Sequence, residues 1–444
     1  MSRKGILGRR DFLALSGAAA LSGFVVPAGA QTARPAAVRI GIITPARTGL
    51  STVRTSINDY VGEAARMGAV LADSRLGEMA AQLGIRLELL HANAPIAEAA
   101  ARHAQRLIET GNITALIGGI GDGQAAAISQ VAAKAKVPFF NVGSQSDSLR
   151  RNSCSRYTFH VEASAAMYLD TMVAWGASQN RKRWFIVYEN SPEGLSMHQR
   201  ALKAIANHGN GAEVVGVAKT EVEQPIYYNE FNTIERAKAD VMLLAINGVD
   251  QIAYTAQQEG AGLDVLAIAF PDQISQTRDY ISSARALAPD RNIPVRVGLW
   301  ETTFNGNATA ADFNERYLKR FSEPADPTGW ASYHSIKMIY ESVLATGSLQ
   351  GDALVRHLEN PATTFDIGKG AGTSFRPWDH QMRQPLNLVR IDQEIEWVRI
   401  DFMTWVDLGK AETEIPKAGP TGAAATAALD RFGDAQADST CRFV

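Results

Sequence analysis

Cysteine is almost missing: 444 residues hold only Cys154 and Cys441. Basic charge is not in excess, since 44 Lys and Arg stand against 46 Asp and Glu. That balance argues against nucleic acid or an anionic lipid surface as the main partner. Linear signatures of catalysis are absent too. The histidines, at 91, 103, 160, 198, 208, 334, 357 and 380, form no H-E-x-x-H pair and no cluster with cysteine, so no metal site is indicated. Gly194-Leu195-Ser196-Met197-His198 lacks the final glycine of a G-x-S-x-G elbow, and G-x-x-x-x-G-K-[ST] does not occur. The expectation is a protein that is not an enzyme and needs no cofactor.

A long apolar run is also missing. The apolar part of the first thirty residues, Phe12 to Val26, is shorter than the ~20 residues a membrane-spanning helix needs. Its basic start and the small residues Ala28 and Ala30 follow the secretory pattern. Arg9-Arg10-Asp11-Phe12-Leu13 resembles the twin-arginine signal, which exports proteins already folded. No cysteine follows to carry a lipid. Residues 1–30 therefore read as a signal cleaved after about Ala30, leaving a periplasmic chain without a membrane anchor. Its removal leaves 40 basic against 45 acidic residues, a net charge near −5. In an oxidising compartment Cys154 and Cys441 either pair or remain two free thiols. Pairing is expected, because exposed thiols are a liability there.

What is present is alternation. "AVRIGIIT" (37–44) reads as a buried strand, and Tyr60, Ala64, Met67 and Leu71 have helical spacing. Strands "IRLELLHA", "ITALIGG" and "VPFFNVG" follow, with helices between them. A second series starts near Tyr157, with strands "RWFIVYE", "AEVVGVA", "VMLLAIN", "DVLAIAF" and "VRVGLW". Such alternation predicts an α/β protein with parallel sheets covered on both faces. Two series predict two doubly wound lobes joined by a three-strand hinge. The first lobe is expected at 36–158 and 302–364, the second at 159–301 and 365–409. Chain passages are expected at 154–164, 298–304 and Thr363–Gly372. From Lys410 the periodicity fades, so 410–444 reads as a mobile tail.

One turn stands out. In "ITALIGGIGDGQAAAIS" (113–129) a strand meets Gly119, Gly121 and Gly123 and becomes a helix, whose first N–H groups can face a ligand. The spacing misses the nucleotide pattern G-x-G-x-x-G. This turn, "YTFHVEAS", "VYENSPEG", "AFPD" and "PTGWASYHSIKMIYESV" together resemble periplasmic substrate-binding proteins of branched-chain amino acid type ABC transporters. The resemblance spans roughly Val38 to Asp407. It implies two lobes that close on a small ligand and deliver it to a membrane permease, the binding protein itself being a monomer. "FRPWDHQMRQPLNLV" and "STCRFV" resemble a narrower subgroup found beside quinone-dependent alcohol oxidation systems. That match leaves open an alcohol or aromatic acid as ligand. A ligand-sensing partner for a membrane receptor would use the same cleft.

The resemblance also nominates residues. Asp122 and Gly123 fall in the family's carboxylate-binding turn, with Asp122 where a hydroxyl is expected. Asp122 either caps the helix or meets the ligand, and its charge speaks against an ordinary amino acid. Gly143, Ser144 and Gln145 match the loop that meets an ammonium group, and Asp272 matches an acidic residue facing it or an N-cap. Asn190, Ser191 and Asn247 sit at strand exits of the second lobe, and Arg47 is the candidate carboxylate partner. Trp300 and Tyr188 are candidates to line the cleft, whereas Trp330 and Tyr333 have core spacing.

Overall fold

The first strand, β1 (Ala37–Thr44), is apolar along nearly its whole length because helices cover both faces of its sheet. It pairs in parallel with β2 (Arg86–Asn93) and β3 (Ala115–Gly118), and β4 (Phe139–Asn141) and β5 (Thr158–His160) complete the order β2-β1-β3-β4-β5. The crossovers are α1 (Ile57–Gln82), α2 (Ala97–Gly111) and α3 (Asp122–Ala135). This computed structural model describes residues 37–45, 57–278, 280–281, 284, 294–303, 306–390, 397–400, 403–406, 410–417 and 422–443. The expected signal, with Arg9 and Arg10, and Arg47 lie outside the described residues.

The second series begins with α4 (Ala165–Ser178). It continues through β6 (Arg183–Glu189), α5 (Pro192–His208), β7 (Glu213–Thr220), α6 (Tyr228–Arg236), β8 (Val241–Ala245), α7 (Gly248–Ala261), β9 (Leu266–Ala269) and β10 (Val295–Gly298). Helices α8 (Ala308–Phe321), α9 (Pro327–Thr346) and α10 (Gly351–Leu358) then return to the first lobe, where Thr328 Oγ1 donates to the Val61 carbonyl at 3.0 Å. A short hairpin, β11 (Ser374–Phe375) and β12 (Met382–Arg383), precedes β13 (Leu386–Arg390). A second hairpin, β14 (Trp397–Ile400) and β15 (Met403–Val406), stands apart, and β16 (Lys410–Ile415) follows it. The second sheet has the order β16-β13-β10-β9-β8-β6-β7, antiparallel where β13 meets β10 and β16. Among the described residues no helix is long and apolar enough to cross a membrane.

The chain passes between the sheets at Val161–Ala163, at Leu299–Trp300 and at Gln384–Pro385. The third passage comes later than the sequence suggested. Phe375 packs edge-on against Phe140 and Phe159, and the His160 N–H donates to the His380 carbonyl at 2.9 Å, so the β11–β12 hairpin stays with the first sheet. One ammonium group draws the passages together. Lys369, only 2% exposed, donates to the Leu299 carbonyl, to Gln384 Oε1 at 2.9 Å and to the Pro385 carbonyl at 3.1 Å. Gln384 Nε2 in turn donates to the Val161 carbonyl at 2.7 Å. The ammonium lies 4.5 Å from the centre of the Trp330 ring, which stacks on Trp300 at 5.4 Å. Burial pushes Lys369 down to about 7, with Glu414 and Glu162 opposing.

The tail is ordered where it is described, contrary to the expectation from composition. β16 forms an edge of the second sheet, and α11 (Ala423–Leu429) lies beside the β11–β12 hairpin, its Leu429 carbonyl accepting from Arg376 at 3.2 Å. Asp430 accepts from Arg383 Nε at 2.7 Å and Arg376 Nε at 3.2 Å. Asp434 accepts a fork from Arg151 at 2.5 and 2.9 Å. On the other lobe the Gly433 N–H donates to Asp170 of α4 at 2.8 Å, and Phe432 stacks on His208 of α5 at 5.3 Å. Cys441 forms a disulfide with Cys154, 287 positions away. The side chains that order this segment lie between 47 and 287 positions upstream, so local periodicity carries no trace of them.

Two predictions follow from the hinge and the tail. Closing so long a loop restricts the unfolded chain, so Cys441→Ser should lower unfolding free energy by about 2–5 kcal/mol in urea titrations under oxidising conditions. An unchanged midpoint would mean the ion pairs alone hold the tail. The second concerns Glu162, 1% exposed in the first passage, where burial above all raises the carboxyl from 4.5 to about 7 against Tyr168 and Arg150. An acid raised on folding adds stability that is full below its unfolded value and fades as pH climbs through the folded one. Wild type should therefore lose on the order of 2–3 kcal/mol between pH 4.5 and 7 that Glu162→Gln keeps. Parallel urea midpoints for the two proteins across that range would contradict it.

Candidate functional site

Ligands of open parallel sheets sit beyond the carboxyl ends of the strands, where loops converge. At the β3 exit the backbone turns through Gly119 and Gly121, at φ 85° and 94°, conformations that favour glycine. A Cβ at Gly119 would also stand 2.9 Å from Asn141 Oδ1. Helix α3 then begins at Asp122, with Gly121 as its N-cap and no side-chain cap. Asp122 is therefore not the capping acceptor that the sequence allowed. Its carboxylate lies in the first turn, where unpaired N–H groups favour negative charge, and it accepts the Ser144 hydroxyl at 2.5 Å.

The neighbouring loop is fixed from beneath by residues the sequence reading did not single out. Asn141, fully buried at the end of β4, accepts the Gly143 and Ser144 N–H groups at 3.2 and 2.8 Å and donates to the Ser144 carbonyl at 2.8 Å. Arg150 donates to the Ser144 carbonyl at 3.2 Å, to the Ser146 carbonyl at 2.9 Å, to the Glu162 carbonyl at 2.8 Å and to Gln381 Oε1 at 2.5 Å. A polar residue closing the apolar run "PFF" was a signal for Asn141. Nothing local marks Arg150.

This loop touches the second lobe. Gln145 Nε2 donates to the Pro271 carbonyl at 2.7 Å, and a Cβ at Gly143 would stand 2.9 Å from Gln273 Nε2. Behind it the Tyr168 hydroxyl donates to Glu162 at 2.6 Å. Asp122, Gly143, Ser144 and Gln145 thus share one face of the first lobe, beside the 271–273 segment of the second. Gly123 follows in the exposed first turn of α3.

On the second lobe the nominated side chains hold the strand exits. Ser191 caps α5, accepting the Gly194 N–H at 2.9 Å, and Asn190 donates to Glu221 at 2.8 Å. Asn247 caps α7 through the Asp250 N–H at 3.0 Å and donates to Glu189 at 2.7 Å. Asp272 accepts the Gly248 and Ser275 N–H groups, each at 2.7 Å. Both of its oxygens are engaged by backbone, and the residue is half-buried. Trp300 and Trp330 are core residues rather than cleft lining, and Tyr188 stacks on His198 at 4.5 Å. A separate groove of about 1070 Å³ lies between 361–373 and α11, away from these exits. Its carboxylates are already engaged, Asp366 by Thr309 and Asp430 by Arg376 and Arg383.

Comparison with known proteins agrees with this architecture. No curated protein matches the sequence significantly. A branched-chain amino acid ABC transporter periplasmic ligand-binding protein from Burkholderia xenovorans LB400 superposes with a TM-score of 0.73 at 17% identity, over 85% of this chain and 95% of that one. A solute binding protein of an ABC transporter from Rhodopseudomonas palustris BisB5, in complex with 3,4-dihydroxy benzoic acid, gives 0.64 at 19% identity, over 85% and 97%. The branched-chain amino acid transporter substrate binding protein of Streptococcus pneumoniae, in complex with isoleucine, gives 0.66 at 16%, over 83% and 99%. The family described as periplasmic binding protein matches residues 37–394. By that match, which spans most of the sequence, this chain belongs to the periplasmic binding protein family.

Proposed function

We propose that this chain is the periplasmic solute-binding component of an ABC importer, capturing a small polar molecule between its lobes and presenting it unaltered to a membrane permease. The observation that carries the reading is the meeting of two sets of strand exits across a hinge, with Gln145 bonded to Pro271. Asp122, Gly123, Gly143, Ser144 and Gln145 reach the ligand from one side. Asn190, Ser191, Asn247 and Asp272 reach it from the other, and Arg47, outside the described residues, is the proposed carboxylate partner. Contacts made to both lobes favour the closed arrangement by the difference in affinity between the two states. A micromolar complex corresponds to about −8 kcal/mol, which hydrogen bonds and buried apolar area supply without covalent chemistry.

The test is a thermal-shift and calorimetric panel of amino acids, aromatic acids, alcohols, amides and amines against the mature chain. A ligand at a hundred times its dissociation constant should add ~2.7 kcal/mol to stability, shrink the radius of gyration and be recovered unchanged. Conversion of the ligand, or no response across the panel, would overturn the reading. In the ligand-free protein, Gln145→Ala should shift scattering toward a more open form, because about 1 kcal/mol of interlobe bonding is removed. Identical scattering curves would show that this contact does not hold the lobes together.

A further inference from the structure

The C-terminal segment grips both lobes, and it does so through neighbouring residues. On the first lobe Asp434 accepts the fork of Arg151, Asp430 accepts Arg376 and Arg383 of the β11–β12 hairpin, and the Trp378 indole donates to the Asp434 carbonyl at 3.3 Å. Cys441 is bonded to Cys154, and Phe443 stacks on His380 at 4.2 Å. On the second lobe the Gly433 N–H donates to Asp170 of α4 at 2.8 Å and Phe432 stacks on His208 of α5. Asp438 pairs there with Lys203 of α5 at 2.8 Å. Residues 432 and 433 thus reach the second lobe while the side chain of 434 is held by the first.

Gly433 marks where the chain threads between the lobes. Its φ of 94° favours glycine, and a Cβ there would stand 2.9 Å from Met167 Cγ of α4 and 3.0 Å from Arg376 Nη1 of the hairpin. The anchor on α4 is itself fixed. Asp170, 1% exposed, takes the Arg200 guanidinium at 2.5 Å, and Arg200 reaches on to the Ala166 carbonyl at 3.3 Å. Asp147, which pairs with Arg151 at 3.5 Å, accepts the Ala166 N–H at 3.2 Å. Ala166 stands at the start of α4, just beyond the first passage, so these bonds close a ring around the point where the chain enters the second lobe. Two neighbouring residues span only ~7 Å even when fully extended. The surfaces they hold therefore cannot part far before one set of bonds breaks, and parting a buried charged pair is costly.

We propose that residues 422–443 act as a strap that limits how far the two lobes turn about the hinge. This rests on the lobes moving relative to each other, as the capture reading requires. The test is electron-spin distance measurement on the mature chain, with labels replacing Glu98 in the first turn of α2 and Glu193 in the first turn of α5, attached without cysteine so that the disulfide stays intact. Phe432→Ala with Lys203→Ala loosens the second-lobe end of the strap. Cys441→Ser with Asp434→Asn loosens the first-lobe end. Without ligand, each pair should raise the population of the most widely separated conformers about fivefold, the factor that one lost contact of ordinary strength gives. A phosphine reductant added to folded wild type cuts the covalent anchor without any substitution and should shift the distances the same way. Distances that move with a ligand of the panel but with neither pair of substitutions would overturn the strap and leave capture standing. A response to one pair alone would also overturn it, because a strap fails when either end lets go. One fixed distance in every sample, with and without ligand, would overturn both readings.

Discussion

A single ammonium group sits where the three interlobe passages come together. Lys369 gathers carbonyl and amide oxygens from the second and third passages, and Gln384 extends the link to the first. A charge so deeply buried is tolerated because every donor has an acceptor and an aromatic face lies beneath it. The arrangement is compact, so two large sheets can pivot about a small polar knot without exposing either core. Glu162 lies in the first passage, on the opposite side of the same electrostatic balance, and the two groups moderate each other's titration.

At the strand exits of the second lobe, the nominated polar side chains are held by bonds of their own. Ser191 and Asn247 cap helices, and Asp272 joins the start of α7 to the turn after β9. Such bonds fix the side chains in place, which would limit the ordering cost of the proposed binding. The same bonds explain why these residues are hard to interpret singly. A capping asparagine at a strand exit looks the same in sequence whether or not a ligand ever reaches it.

The α/β alternation was legible because its signals are local. The helices at 165–178 and 192–208 and the strand at 37–44 follow from periodicity and from residues such as Ser164 and Ser191 that cap by hydrogen bonding three positions ahead. The third passage and the tail were not legible, because Phe375 chooses its sheet by packing on Phe140 and Phe159, and Asp434 is held by Arg151. Within the site, the resemblance led to the Gly143–Gln145 loop, whereas the Asn141 and Arg150 supports required three-dimensional contact to be seen. Asp122 was noticed as a departure in charge. Its hydroxyl partner, Ser144, emerged only when the two loops were brought together.

The covalent bond between Cys154 and Cys441 encloses the entire second lobe, the returning helices and both hairpins in one ring. A protease that cuts once anywhere inside that ring leaves two polypeptides still fastened to each other. Such a nicked molecule would run as one species on a gel without reductant and as fragments with it. A broken loop need not release a lobe.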